Sequence, residues 1–233
     1  MIDIYEGRDV SELLGVVKWE APLPACLVGQ AKGLFPSFIK KTDSERIQNL
    51  VIEYDQYKKD SPLFEVTEKL DGTSFTCSFN NGQLDVCSRN LSLKDTTSNV
   101  YWDMVKRYEL ASKLEALGRN IAIQGECIGE GIQKNQYALK GVDLYVFNIF
   151  NIDTFSYVSA SERLELLDYL GLKGVPVVNS NFDISNLSVS DVLEFANGKS
   201  LINGSPREGL VFKSLTMPDL NFKAISNLWL LKD

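Results

Sequence analysis

The heptapeptide "EKLDGTS" at residues 68–74 sets a lysine between two acids, inside the strand-like run "LFEVTEKLDGTSFTCSF". Phe64, Val66, Leu70, Phe75, Cys77 and Phe79 make that run apolar, so Lys69 sits where an ammonium is rarely found without a partner. In an extended strand Lys69 and Asp71 project to one face, and Gly72 permits a close backbone approach. "EGLVFK" at 208–213 adds Glu208 and Lys213, and "NFKAI" at 221–225 adds Lys223. Three lysines converge if these strands line one cleft. A lysine beside other cations loses basicity and becomes a nucleophile near neutral pH, and carboxylates suit a hydrated magnesium ion. Such a set fits attack of a lysine on a phosphorus atom of a nucleoside triphosphate, with metal and lysines neutralising charge. A solvent-facing lysine on an alternating strand explains the local pattern equally well, so "EKLDGTS" alone leaves both readings open.

Composition narrows the chemistry. The 233 residues include no histidine, which removes the usual general base, the Ser-His and Cys-His nucleophile pairs and most zinc sites. The glycine-rich phosphate loops GxxxxGK[ST] and GxGxxG are both missing. A net charge of −7 argues against tight non-specific binding to nucleic acid by the chain as a whole. Cys26, Cys77, Cys87 and Cys127 show no CxxC spacing and read as reduced thiols of an intracellular compartment, the cytoplasm first, with organelle or nucleus also compatible. Cys77 and Cys87 flank an expected hairpin, but no bond between them follows. No apolar run reaches membrane-spanning length, and "MIDIYEGRDV" has no basic-then-apolar pattern, so neither a signal peptide nor a membrane association is expected.

The elements that must position these residues read as follows. "EAPLPACLVGQAKGLFPSF" is extended or looped. "KTDSERIQNLVIEYDQY" reads as a helix, with Thr42 and Glu45 as a capping box and Ile47, Leu50, Val51 and Tyr54 as its apolar stripe. The Lys69 strand, "TSFTCSF", a turn at "NNG" and "QLDVCSRN" form strands and a hairpin. "NVYWDMVKRYELASKLEALGRN" reads as one long amphipathic helix closed by Gly118. "NIAIQGECIG" and "VDLYVFNIF" are buried strands. "SASERLELLDYLG", opened by Ser159 and Glu162 and closed by Gly171, and "SVSDVLEFANG" are helices. Strands in groups separated by single helices favour an α+β domain of largely antiparallel sheets.

With those elements placed, "EKLDGTS" resembles the lysine motif of covalent nucleotidyltransferases, the polynucleotide ligases and messenger-RNA capping enzymes. "SRN" at 88–90, "GECIGEGIQ" at 125–133, "LYVFNIF" at 144–150, "EGLVFK" and "NFKAISN" at 221–227 resemble that superfamily's other motifs, in its order. "GECIGEGIQ" and "FKAISN" look like RNA ligase 2-like enzymes. "FPSFIKKTDSERIQN" is similar to the segment before the lysine motif in the subgroup with an extra N-terminal domain. The resemblance spans roughly residues 30 to 232.

It implies an ATP-grasp-like nucleotidyltransferase fold of antiparallel sheets flanked by helices. The implied organisation is a single adenylyltransferase domain over 1–233, with 1–35 an N-terminal extension and an accessory domain absent from this chain. The implied activity is that of an ATP-dependent RNA ligase in RNA repair, using ATP with Mg2+ or Mn2+ and joining RNA 5′-phosphate and 3′-hydroxyl ends, as a monomer helped by an accessory domain. Carried over by position, Lys69 forms the lysyl-AMP, Glu126 holds the ribose, Glu68, Ser74 and Arg89 lie near the nucleotide, and Phe147 stacks on adenine. Glu208, with Asp71, orients water around the metal; Lys213 and Lys223 contact phosphate; Arg46 and Gln48 reach toward the nucleotide; and Gln133 and Lys134 touch the RNA end. Each has a plain alternative: Phe147 as core, and the polar residues as solvated surface. Where these enzymes carry two lysines one residue apart in the last motif, "NFKAI" offers only Lys223, with Asn221 and Ile225 at the neighbouring positions and Lys232 as the cation that compensates. A DNA ligase or GTP-using capping enzyme of the same superfamily, and a non-catalytic nucleotide- or RNA-binding module, are the other readings.

Overall fold

The computed structural model describes residues 14–15, 29–95 and 99–231. Residues Met1–Gln30 group by themselves, and Ala31–Asp233 form the compact unit that holds every element below. Cys26 and Lys232 fall outside the described residues.

Two sheets carry the domain. The first has eight strands: β1 (Ala31–Leu34), β4 (Thr73–Asn80), β5 (Gln83–Cys87), β6 (Leu91–Leu93), β7 (Ile121–Gly129), β8 (Val142–Asn151), β9 (Ser156–Tyr157) and β10 (Lys173–Gly174). Its order is β1-β6-β5-β4-β7-β8-β10, with β9 paired to β8. The second has five strands in the order β11-β3-β12-β13-β2, formed by Val177–Asp183, Leu63–Lys69, Gly209–Ser214, Asn221–Ile225 and Glu45–Arg46 respectively. Pairing is antiparallel except for β10 on β8 and β2 on β13, so the α+β expectation holds. Six helices flank the sheets among the described residues: α1 (Val51–Asp60), α2 (Val100–Arg107), α3 (Leu110–Leu117), α4 (Ala160–Leu170), α5 (Val189–Ala196) and α6 (Asn227–Leu230).

One face of the second sheet is pure core. Phe64, Val66, Leu210, Phe212, Phe222 and Ala224 alternate inward and pack on Ile47, Tyr54, Val192 and Ala196, the last three from α1 and α5. The rings of Phe212 and Phe222 stack at 4.8 Å across neighbouring strands. Each such aromatic contributes about 1.5–3 kcal/mol by leaving water, so this layer fixes the pleat and thereby which residues face the other way.

The Asn81-Gly82 turn has φ of +49° and +77°, the left-handed pair that a two-residue hairpin turn requires. Cys77 lies opposite Val86 and Cys87 opposite Thr76, so the two thiols are not cross-strand partners, and both are free and buried.

Two local expectations fail. Thr42 and Glu45 do not cap a helix: Glu45 pairs with Phe222 in β2, and its carboxylate accepts from Arg46 N–H and the Asn49 amide. Ile47–Asn49 form one 3-10 turn, and α1 starts only at Val51, with no side-chain cap. The long helix is two helices, interrupted at Tyr108–Glu109, where Glu109 takes φ of +55°. Tyr108 hydroxyl is tied to Asp143 on β8 at that break. Gly118 closes α3 as expected, at φ of +64°.

Candidate active site

Register places the three lysines on one face. Along β3, β12 and β13 the directly opposed sets are Lys69–Gly209–Ile225, Thr67–Val211–Lys223 and Glu65–Lys213–Asn221. Opposed residues share a face, and so do residues two apart on one strand. All three lysines therefore turn away from the phenylalanine core. Gly209 has to be glycine here, since a Cβ would meet Ala224 O at 2.3 Å.

The chain crosses from one sheet to the other through Leu70, Asp71 and Gly72, between the ends of β3 and β4. The strand stops at Lys69, so the expected period-two partnership of Lys69 and Asp71 does not apply. Asp71 sits in the crossing, its N–H donated to the buried Tyr137 hydroxyl at 2.8 Å. Gly72 packs hard against β7, where a Cβ would lie 2.3 Å from Cys127 O. Gln133 Nε2 donates to Gly72 O at 3.0 Å and closes over the crossing.

The first sheet supplies the other wall. Ser74 opposes Glu126 across β4 and β7. On β8 the pairing steps from Asn148 opposite Gln124 to Val146 opposite Gly125, which leaves Phe147 unpaired as a β-bulge. Bulges re-aim side chains beside binding sites. Phe147 turns into the cleft and packs beside Leu70 and Val175.

These walls enclose a cleft of about 360 Å³, within the range of small-molecule sites. Lys69, Glu68, Ser74, Arg89, Glu126, Phe147, Lys213, Lys223 and Gln133 all border it. Glu208 stands at its edge: Lys69 Nζ donates to Glu208 Oε1 at 2.6 Å. Arg89 reaches the rim, where it pairs with Asp43 at 2.7 Å. Glu68 borders the cleft, but its carboxylate lies on the opposite face from Lys69 and accepts from Leu201 N–H at 2.9 Å. Arg46, Gln48 and Lys134 do not line the cleft and are exposed. Arg46 lies opposite Lys223 on β2, close enough to act on its charge.

The cleft is electrostatically tense. Burial pushes the Glu126 carboxyl up to about 7; Lys69 opposes that shift, while Glu208 and Asp71 reinforce it. Burial likewise raises Glu208 and Asp71, again against the pull of Lys69. Lys223 is lowered by burial and then by Lys69. Lys213 is pushed down to about 7 by burial, with Arg163 adding to the shift and Glu65 opposing it. Its ammonium donates to Phe147 O, across from one sheet to the other.

The acids fit a hydrated divalent cation and not a closed protein cage. Among the described residues no three His, Cys, Asp or Glu side chains form a metal cluster. Glu208 Oε2, however, is buried without a hydrogen-bond partner, the state of a carboxylate oxygen awaiting water or metal. Magnesium and manganese sites of one or two carboxylates completed by water and phosphate have this character.

Sequence reasoning missed several residues of the lining. Thr42, Asp43 and Ser44 enter from the segment misread as a helix start, and Ser44 Oγ donates to Asn221 at 2.6 Å. Thr67 and Val211 lie on the lysine face by simple strand parity, a signal that was present in "EVTEK" and "GLVFK". Asn148 and Val175 carry no signature that would have found them.

A family profile described as RNA ligase matches residues 62–226. Several solved structures of Naegleria gruberi RNA ligase are similar at 42% identity, each aligned over 97% of this chain. A mutant with ATP and Mn has a TM-score of 0.84 and is covered over 66% of its length. A mutant with AMP and Mn has 0.84 and 68%, and the enzyme with PPi has 0.83 and 67%. The chain thus spans about two thirds of the length of those proteins. No curated protein matches it. Motif order, cleft geometry, profile and structural likeness agree, and the chain belongs to the RNA ligase family.

Proposed function

We propose that this domain is the ATP-dependent adenylyltransferase of an RNA ligase, and that Lys69 carries the AMP. The single observation that supports this most is the Lys69–Glu208 pair at 2.6 Å, set at the edge of a cleft whose far wall is the bulged Phe147. ATP lies with its adenine against Phe147 and its ribose hydroxyls toward Glu126. Its phosphates run toward Lys69, Lys223 and Arg89. The neutral Lys69 amine attacks the α-phosphorus, an N–P bond forms, the bond to the bridging oxygen breaks and pyrophosphate leaves.

Lys69 must first give up a proton, and Glu208 is the carboxylate in reach; its raised basicity suits transient acceptance. Glu208, with help from Asp71, would hold a magnesium or manganese ion, which when bound would supply charge neutralisation on the phosphates. Lys223 supplements it, and Lys213 borders the same cleft while its ammonium donates to Phe147 O. Asn221 or Ile225 stands where a second lysine of the last motif would be; the Asn221 amide accepts from Ser44 Oγ and donates to Asp219 O. Arg46 and Gln48 lie outside the cleft lining, and Arg46 acts on the site through its charge beside Lys223.

The AMP then passes to an RNA 5′-phosphate, and a 3′-hydroxyl displaces it. Gln133, over Gly72, and Lys134 are placed to meet the RNA end. RNA engagement by an accessory domain fits the net charge of −7; within this span residues 1–35 act as an extension, and the working unit is a monomer. The described cysteines, all free and buried, suit a reducing compartment. No described helix is long and apolar enough to cross a membrane.

Incubation with α-labelled ATP or GTP and Mg2+, followed by nicked duplexes with RNA or DNA 3′-ends, tests this reading. Label from ATP and sealing of RNA ends support it. Preference for GTP or for DNA ends would replace it with a capping or DNA-ligase activity.

A further inference from the structure

Behind the Phe147 bulge lies an ion pair that the nucleotide chemistry leaves unexplained. Arg163, on α4, gives Nη2 to both oxygens of Glu65, at 2.6 and 2.8 Å. The side chains are only 7% and 6% exposed. Glu65 sits on β3 directly opposite Lys213 of β12, on the same face. That is the spacing at which a lysine and a glutamate pair across strands. Lys213 instead donates a hydrogen bond to Phe147 O. A small cavity of about 30 Å³ adjoins Glu65, Arg163 and Lys213, so Lys213 has room to turn.

We propose that Arg163 is a positioning residue for the nucleotide cleft: by taking both oxygens of Glu65, it keeps that carboxylate off Lys213 and commits Lys213 to the carbonyl of the bulge that aims Phe147. Breaking a buried pair by removing one partner leaves an uncompensated charge, which seeks the nearest opposite one. Without Arg163 that partner is Lys213. The lysine leaves the bulge, and the aromatic wall loses its anchor. The proposal rests on the reading above only for its effect on ATP, since the switch of Lys213 between partners can be observed without catalysis.

The groups facing Lys213 are few. Glu65 approaches from β3 and Arg163 from α4; β13 offers only the uncharged Asn221. Tyr157 of β9 shares the small cavity, but its phenol is pushed up to about 12 by burial and stays neutral. Burial sets the lysine's proton affinity first, and Arg163 and Glu65 are the charges that adjust it.

The test is NMR titration of the full chain with 13Cε-labelled lysine, the Lys213 resonance being assigned by its loss in Lys213→Met. In the unaltered protein its midpoint is expected below the ordinary lysine range, near 7. Arg163→Met is expected to raise the midpoint by about one unit or more, a tenfold gain in proton affinity, and to raise KM for ATP more than it lowers kcat. Glu65→Gln moves the midpoint the other way. The double variant Arg163→Met/Glu65→Gln, which removes both partners of the ion pair together and leaves neither one unpaired, returns it close to the original value. An unmoved midpoint in Arg163→Met, or a double variant shifted as far as Arg163→Met, overturns the proposal. Either result would leave Lys69 adenylation standing, because no step of the titration uses it.

Discussion

Lys69 Nζ and Glu208 Oε1, 139 residues apart in the chain, meet at 2.6 Å because Lys69 and Gly209 are opposed in neighbouring strands. That contact engages the nitrogen that attacks in the proposed reaction, so it must be relieved first. In that reaction the pair is relieved by proton transfer from Lys69 to Glu208, a carboxylate that would also be available to hold a hydrated divalent cation. Glu208→Gln should therefore bind ATP but form the adduct at least about a hundredfold more slowly. Rapid-quench measurement of pyrophosphate release against ATP concentration separates the two effects.

Glu126 titrates where the cleft works. Burial raises its carboxyl to about 7, above the value of an unfolded glutamate, so the folded state prefers it protonated. Its stabilising contribution is complete below pH 4–5 and is lost as pH rises toward and past 7. Glu126→Gln should therefore raise the melting temperature at pH 8 and leave it nearly unchanged at pH 5, while weakening ATP binding at both. Calorimetry at the two pH values checks the sign. A variant destabilised more at pH 8 than at pH 5 would contradict it.

Phe147 is aimed by a bulge and not by strand alternation. Phe147→Ala removes the flat wall of the cleft, and base–aromatic stacking is worth about 1–3 kcal/mol. KM for ATP should rise about tenfold or more, with Phe147→Tyr close to the original value. Equilibrium binding of ATP by the variants distinguishes loss of stacking from a slowed chemical step.

Gly72 is where backbone meets backbone. A methyl group there would sit 2.3 Å from Cys127 O and 2.6 Å from Ile128 Cγ2. Gly72→Ala should cost about 1–3 kcal/mol of stability, and should slow adduct formation further by displacing the crossing that follows Lys69. Denaturant unfolding and adduct yield in the same preparation give both numbers.

Much of the site was legible because its parts are local. "EKLDGTS", "GECIGEGIQ" and "EGLVFK" each place a reactive residue within a few positions of a strand end, and period-two alternation assigns the three lysines to a polar face. What alternation cannot supply is register, and so the Lys69–Glu208 contact was only one of several possible outcomes. The aim of Phe147 was invisible for a sharper reason: one extra residue between Val146 and Asn148 breaks the alternation there. Glu45 misled because a local capping pattern competed with pairing to Phe222, 177 residues away, and the long-range strand won. The long helix misled because burial continues on both sides of the break, at Tyr101, Met104 and Val105 before it and at Leu110 and Leu114 after it. The Arg163–Glu65 pair had no sequence signature, since an arginine within "SERLELL" looks like any exposed helix position.

The central claim is that AMP is bonded to Lys69. Tandem mass spectrometry of the protein after incubation with ATP and Mg2+ tests it most directly. The expected result is one AMP per chain on the peptide containing "EKLDGTS", at Lys69, released as free AMP by acid and absent from Lys69→Ala. An AMP group on any other residue, or one that persists in Lys69→Ala, would contradict the account.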